Sequence, residues 1–223
     1  MELVSQFIYI FLKDLKSEVR TRYSLSAFIL FIVTTVTIIV FSTAGETLSS
    51  GISSGILWVI LFFGAMTGLA KGFVSEEERG TSLLLKLSAT PTSVYFGKLL
   101  YNILMSLVLN TFATLLFVIF NTSLTIKMPF EFVLSIFWGS IGIAAASTII
   151  SAIIARANTR GALFPVLSFP VLLPLIVVGV DVTKITLEGS NLSGGIGNFP
   201  LMIAYCGIII PVSFILFEHV WRD

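Results

Sequence analysis

The stretch KGFVSEEERGTSLLLKLSATPTSVYFGK, Lys71 to Lys98, decides how the rest of the chain is read. It is the longest polar interruption between two long apolar runs, and at 28 residues it far exceeds what a simple turn needs. Three consecutive carboxylates (Glu76, Glu77, Glu78) are followed by Arg79, Gly80 and Thr81, then by the apolar run Leu83, Leu84, Leu85 and Leu87. Gly80 reads as the break after an acidic helix end. A short apolar helix from Thr81 to Ala89 follows, then Thr90 as an N-cap with Pro91 at the first position of the next helix. That order predicts a helical hairpin lying on a membrane surface. The plainer alternative is a solvated loop. On the hairpin reading, exposed acidic groups offer charge-assisted hydrogen bonds to the Arg or Lys of a docking partner.

Outward from this stretch, the composition leaves one class open. Of 223 residues 56% are apolar, only 11% are charged, and 20 are Phe; an ordinary soluble domain has roughly 25% charged residues. Mean hydropathy is +1.03. The chain is therefore expected to be an all-α integral membrane protein forming a single transmembrane domain over 1–223. Six apolar runs, 25–44, 52–70, 99–120, 130–154, 162–180 and 200–217, each approach the ~20 residues that span a bilayer core as a helix. Eleven of the 13 Lys and Arg fall in the N-terminal segment, 71–98, the fourth connection and the tail, against Lys127 and Lys184 on the other side. The positive-inside rule then places both termini and the 71–98 segment in the cytoplasm. The net charge of +1 says nothing about partners, and no nucleic-acid partner is expected.

Residues 2–22 are too charged for a cleavable signal. Val4, Ile8, Phe11, Leu15 and Val19 share one helical face over 2–20, with Lys13, Lys16 and Arg20 towards the other, which predicts an amphipathic helix in the membrane plane and in contact with lipid. The alternative is the first turns of a long tilted span. Gly64, Ala65 and Gly68, and Gly139, Gly142, Ala145 and Ala146, recur at helical spacing and predict close helix packing. Pro165, Pro170 and Pro174 predict a kinked or interrupted fifth helix. The outer connection from Asp181 to Phe199 is expected to be irregular, with room for a short interfacial or re-entrant segment. No ionisable residue is expected deep in a span, which argues against an ion-driven transporter.

Other features read blandly. One Cys (Cys206) and one His (His219) give no metal cluster; Cys206 is expected to be packing, and His219 interfacial rather than a haem ligand. Trp58, Trp138, Tyr95 and Tyr101 could stack on a planar ligand but read first as packing or interface residues. Leu192–Gly195 spells LSGG in a Gly- and Ser-rich loop, but the chain has no G-x-x-x-x-G-K-[ST] pattern, so no ATP site is expected here. No nucleophile is paired with a base, so the chain reads as a non-catalytic subunit.

The run EEERGTSLLLKLSATPTSVYFGK resembles the cytoplasmic signature of ABC-2 type permeases, in which this segment is the coupling helix that docks on a cytosolic ATPase. That resemblance implies Glu76, Glu77, Glu78, Arg79, Gly80 and Thr81 as docking residues. Within those permeases the whole chain resembles the CcmB family, the B subunit of the haem exporter of cytochrome c maturation. The resemblance rests on KDLKSEVRTRY (13–23), EEERGT with the later Pro and Gly-Lys, FPVLSFPVLLPLIVVG (164–179) and the compact six-span layout. It implies a bacterial inner-membrane protein with an ABC ATPase partner (CcmA-like), a haem-handling membrane subunit (CcmC-like) and a small subunit (CcmD-like). It also implies either two copies of the chain, as a homodimer on two ATPase subunits, or one copy beside the C subunit, with haem as substrate, ATP bound by the partner and no cofactor of the chain's own. The alternatives are a general ABC-2 export permease for another lipophilic substrate and a non-transporting assembly factor.

Overall fold

The computed structural model describes residues 2–43, 48–69, 72–78, 80–121, 124–156, 160–189 and 198–222. The described residues are almost wholly helical: α1 (Glu2–Thr21), α2 (Tyr23–Thr43), α3 (Ser50–Leu69), α4 (Val74–Glu78), α5 (Ser82–Ser88), α6 (Pro91–Phe120), α7 (Pro129–Ala155), α8 (Arg160–Glu188) and α9 (Phe199–Arg222). Six of these helical stretches are long and apolar enough to cross a membrane. The chain is an all-α, multi-pass membrane protein. The reason lies in the backbone, since in hydrocarbon only a helix satisfies every amide within its own segment.

The centre of the bundle is α7. It packs against α8, α9, α6 and α3, and Ile143, Ala144, Ala145 and Ala146 have no exposed surface. Lipid gives helices no hydrophobic drive to associate, so close contact has to come from fit. Small residues create the fit by accepting large side chains from neighbouring helices. Trp58 of α3 lies between Gly139 of α7 and Gly179 of α8, where an added Cβ would come within 2.4 Å and 2.1 Å of its ring. Its indole nitrogen donates to Thr183 Oγ1 at 2.9 Å. Trp58 is therefore a packing residue. Gly64 accepts Phe28 of α2, Gly142 accepts Leu175 of α8, and Gly68 meets Leu109 of α6.

Two expectations change. Of the kink or interruption expected at Pro165, Pro170 and Pro174, the interruption does not occur: α8 runs unbroken from Arg160 to Glu188 with all three prolines inside it. The prolines point outward, where the ring displaces no packed neighbour. The Tyr205 hydroxyl donates to Val171 O at 2.9 Å, next to Pro170, whose carbonyl loses its amide donor to Pro174. The outer connection is likewise shorter than expected, because Asp181 to Glu188 continue α8. That extension is pinned by Lys127, whose Nζ donates to Glu188 O at 2.8 Å and whose amide donates to Thr186 O. The LSGG stretch lies outside the described residues.

Because Gly139 and Gly179 enclose one tryptophan, Gly179→Ala is expected to destabilise the purified protein by about 1–3 kcal/mol, as overpacking does. Gly207→Ala is expected to change little, because nothing lies within 4 Å of a Cβ built there. Thermal unfolding in detergent checks the pair: equal midpoints for the two variants would rule out the tryptophan lock.

Candidate functional site: a buried ion cluster beneath a helical hairpin

The hairpin forms for the local reasons its residues supply. Helix α4 ends at Glu78, and Gly80 takes φ +66°, a left-handed turn open to Gly at no steric cost. The Thr81 amide and hydroxyl then both donate to Glu76 O, at 2.9 Å and 3.2 Å. This closes α4 onto the start of α5. Beyond α5, Thr90 caps α6 by accepting from the Ser93 amide, with Pro91 in the first turn. The third apolar run is thus the outer part of a 30-residue helix that begins at Pro91. At 1.5 Å per residue such a helix is about 45 Å long, well beyond a ~30 Å hydrocarbon core.

That inner extension of α6 is where the charges gather. Lys98 is 2% exposed, and its ammonium donates to Asp14 Oδ2 at 3.1 Å, Glu76 Oε1 at 3.0 Å and Gly72 O at 3.0 Å. All three of its donors are used. The Phe73 ring lies beneath it, 4.8 Å from nitrogen to centroid. Lys13 closes the cluster, with Nζ 2.5 Å from Glu76 Oε1 and 3.3 Å from Asp14 Oδ1. Two ammoniums and two carboxylates, from α1, α4 and α6, therefore balance one another. Burial lowers the Lys13 pKa, but Asp14 and Glu76 outweigh it, and the net shift is upward from the ordinary 10.5.

Helix α1 is held against α6 along a matched row. The Ser93 hydroxyl donates to Gln6 at 3.3 Å, Ile10 fills the space over Gly97, Asp14 meets Lys98 and Glu18 pairs with Tyr101. Positions 6, 10, 14 and 18 thus advance with 93, 97, 98 and 101, so the two helices run side by side in the same direction. The sequence reading had placed α1 by its 4-8-11-15-19 face. In the structure Ile8 and Val19 are exposed, and a different row, Ile10 and Glu18, is buried against the protein. At the corner into α2, Arg22 takes φ +53°, and Glu18 Oε1 accepts from the Leu25 amide at 3.1 Å.

The expectation for the three consecutive carboxylates therefore changes. Glu76 is 8% exposed and faces inward onto Lys98 and Lys13, so it is not offered to a partner. Helical geometry turns Glu77 partly outward and leaves Glu78 exposed; Gly80 and Thr81 are exposed, and Arg79 lies outside the described residues. The apolar surface of the hairpin sits one helix later. Leu83, Leu84 and Leu87 of α5 are 67%, 70% and 81% exposed, while Leu85 is buried. Lys86, between them, holds its ammonium 5.6 Å from the centre of the Trp221 ring on α9. A cleft of about 730 Å3 opens between α1 and the hairpin, with Tyr9, Lys13, Thr81, Leu84 and Ser88 on its walls.

Above the ion cluster, α6 carries a row of buried polar side chains facing α7. Asn102 donates to Thr148 Oγ1 at 2.8 Å, and Asn110 donates to Ser140 Oγ at 3.0 Å and to Ser106 Oγ at 3.2 Å. Ser106 donates to Ser140 O at 3.0 Å. The sequence reading missed this row. Its signal was present, since Asn102, Ser106, Asn110 and Thr114 recur every fourth residue in an otherwise apolar helix. Lys98 stands where the sequence puts it, at the mouth of the third apolar run; that it is buried there, two turns into α6, is what the structure adds. Cys206 is buried with Sγ 3.4 Å from Trp138 O. His219 is exposed with Nδ1 3.1 Å from Ile215 O of its own helix.

Removing one member of a buried, balanced cluster strands its opposite charges. Lys98→Met is expected to cost about 3–5 kcal/mol, measured as a fall in thermal unfolding midpoint, with much of the loss recovered when Asp14→Asn and Glu76→Gln are added. If the triple variant is as unstable as Lys98→Met, the charges are not the cause. For Lys13 the raised pKa sets the sign of the pH effect. Its bridge contributes fully below 10.5 and is lost as pH climbs through the raised value. Wild-type and Lys13→Gln midpoints are expected to converge only in that alkaline range.

Comparison with curated proteins finds no match. The CcmB protein family matches residues 5–211, which takes in the ion cluster, the hairpin and the first half of α9, and the chain belongs to the CcmB family.

Proposed function

We propose that this chain, as a CcmB-family permease subunit of the haem exporter in cytochrome c maturation, converts ATP hydrolysis by a separate cytosolic ATPase into movement of its spanning helices. The observation that carries the reading is the hairpin's two-sidedness. Its outer face presents Leu83, Leu84 and Leu87, while its base is bound through Glu76 to Lys98 at the foot of α6. An exposed leucine row beside Glu78 suits a shallow groove on a partner, where each buried leucine contributes on the order of 1.5–3 kcal/mol. A push on the hairpin is passed by the ion cluster to α6, which is continuous to Phe120. From α6 it reaches the central helix α7 through Asn102, Ser106 and Asn110.

In this reading the termini, the hairpin and the ion cluster lie on the cytoplasmic side of the inner membrane, in agreement with the Lys and Arg distribution. The docking set is Glu77, Glu78, Gly80 and Thr81 with the three leucines. The overall arrangement is an ABC-2 type permease fold, with α4–α5 in the place of the coupling helix. The chain works in a complex with a CcmA-like ATPase, a CcmC-like haem-handling subunit and a CcmD-like small subunit, and a second copy of the chain would pair with it on two ATPase subunits. Haem is the substrate delivered, and ATP is bound by the partner.

The test combines two readouts on Leu84→Glu/Leu87→Glu. The variant is expected to insert and purify normally, to lose on the order of 100-fold in affinity for the ATPase, and to leave c-type cytochromes unmatured in cells lacking the native subunit. Unchanged ATPase binding would remove the docking reading. Restored ATPase stimulation by the wild-type chain without any effect on c-type cytochromes would point to export of another substrate.

A further inference from the structure

We propose that the outer face of α1 is a binding site for the phosphate headgroup of an anionic phospholipid in the cytoplasmic leaflet. This rests on the cytoplasmic orientation given above. The observation is a separation of charge across one helix. Between 13 and 22, α1 carries Lys13, Asp14, Lys16, Glu18, Arg20 and Arg22. Both acids are drawn inward, Asp14 onto Lys98 and Glu18 against Tyr101 and the Leu25 amide. Of the bases, Lys13 joins the ion cluster and the other three are left outside. Lys16, Arg20 and Arg22 are exposed, and among the described residues no carboxylate pairs with any of them.

These cations share their face with apolar surface. Tyr9 is 72% and Leu12 52% exposed. With Lys13, Lys16, Ser17 and Arg20 they line an open depression of about 570 Å3. Positions 9, 12, 13, 16 and 20 fall on one side of the helix, so acyl-chain surface and headgroup charge would meet in one place. Lys and Arg at a headgroup plane are attracted to anionic lipid at about 1 kcal/mol each, and an exposed Tyr and Leu beside them suit the interface just below it. A soluble acidic protein would match the charge but leave Tyr9, Leu12, Ile8 and Val19 uncovered; a lipid covers both. Because Lys13 belongs both to this depression and to the ion cluster, lipid held here would also steady the base of the hairpin.

The test is native mass spectrometry of the full chain extracted from vesicles of mixed phosphatidylglycerol and phosphatidylcholine. The wild type is expected to retain phosphatidylglycerol in preference to phosphatidylcholine. Lys16→Gln/Arg20→Gln should weaken that retention on the order of thirtyfold. Lys16→Arg/Arg20→Lys, which keeps the charge, should retain the lipid and shows that the site tolerates exchange. Leu84→Glu/Leu87→Glu should retain lipid as the wild type does, so a failure of ATPase docking leaves this result standing. Equal retention of the two lipids, or no loss in the Gln variant, overturns the proposal. Displacement of the lipid by inorganic phosphate also overturns it, since the site would then read a free anion.

Discussion

A lysine ammonium sealed from water is the constraint on which the hairpin end of this protein depends. An unpaired charge at that depth is prohibitive, so Lys98 dictates what must surround it. It needs two carboxylates and a carbonyl, and it takes them from Asp14, Glu76 and Gly72. Those residues belong to an N-terminal helix, a five-residue helix and the turn that precedes it. The short α4 and its preceding turn have no large apolar face of their own, and α1 adds only Ile10, seated over Gly97, to the polar contacts that hold it on α6. The ion cluster therefore does more than add stability. It specifies where α1 and the hairpin sit on α6, and that position is what the transduction reading uses.

Deeper in the bundle a different rule operates. There the helices carry few charges, and association rests on shape and on neutral hydrogen bonds. Trp58 sits over two glycines, Phe28 fits over Gly64, and Leu175 fits over Gly142. Alongside this dry packing runs the polar row between α6 and α7. Hydrogen bonds between transmembrane helices are individually modest, of order 1 kcal/mol or less, and they break and re-form at lower cost than an interlocked tryptophan. The protein thus has a close-packed region around Trp58 and a polar α6–α7 seam that begins one turn beyond Lys98. In the proposed transduction, a movement entering at the hairpin meets that seam first.

The exposed surfaces of the hairpin end divide by chemistry. On the α1 side, cations stand beside Tyr9 and Leu12; on the hairpin side, leucines stand beside Glu78. The first matches an anionic membrane surface and the second a protein groove. The cleft between them is floored by the same Lys13 and Glu76 that bind the two sides together. Membership of the CcmB family gives these surfaces their setting, the haem export step of cytochrome c maturation.

By itself the sequence determined whatever depends on short-range chemistry. Apolar length gave the six spans, Thr90-Pro91 gave the start of α6, and Gly80 gave the break between α4 and α5. The glycines of α3 and α7 marked close packing, and EEERGT with the proline-rich run carried the family resemblance. Tertiary structure alone decided which way each residue faces. Three adjacent glutamates read alike in a string, but a helix turns 100° per residue, so Glu76 is carried inward and Glu78 outward. Asp14 is 84 positions from Lys98, and no local pattern announces that pairing. The prolines of α8 warned of a break that packing did not require, because all three point away from the bundle. The outcome at each of these positions was set by what lay across the interface, and a linear pattern carries no record of that.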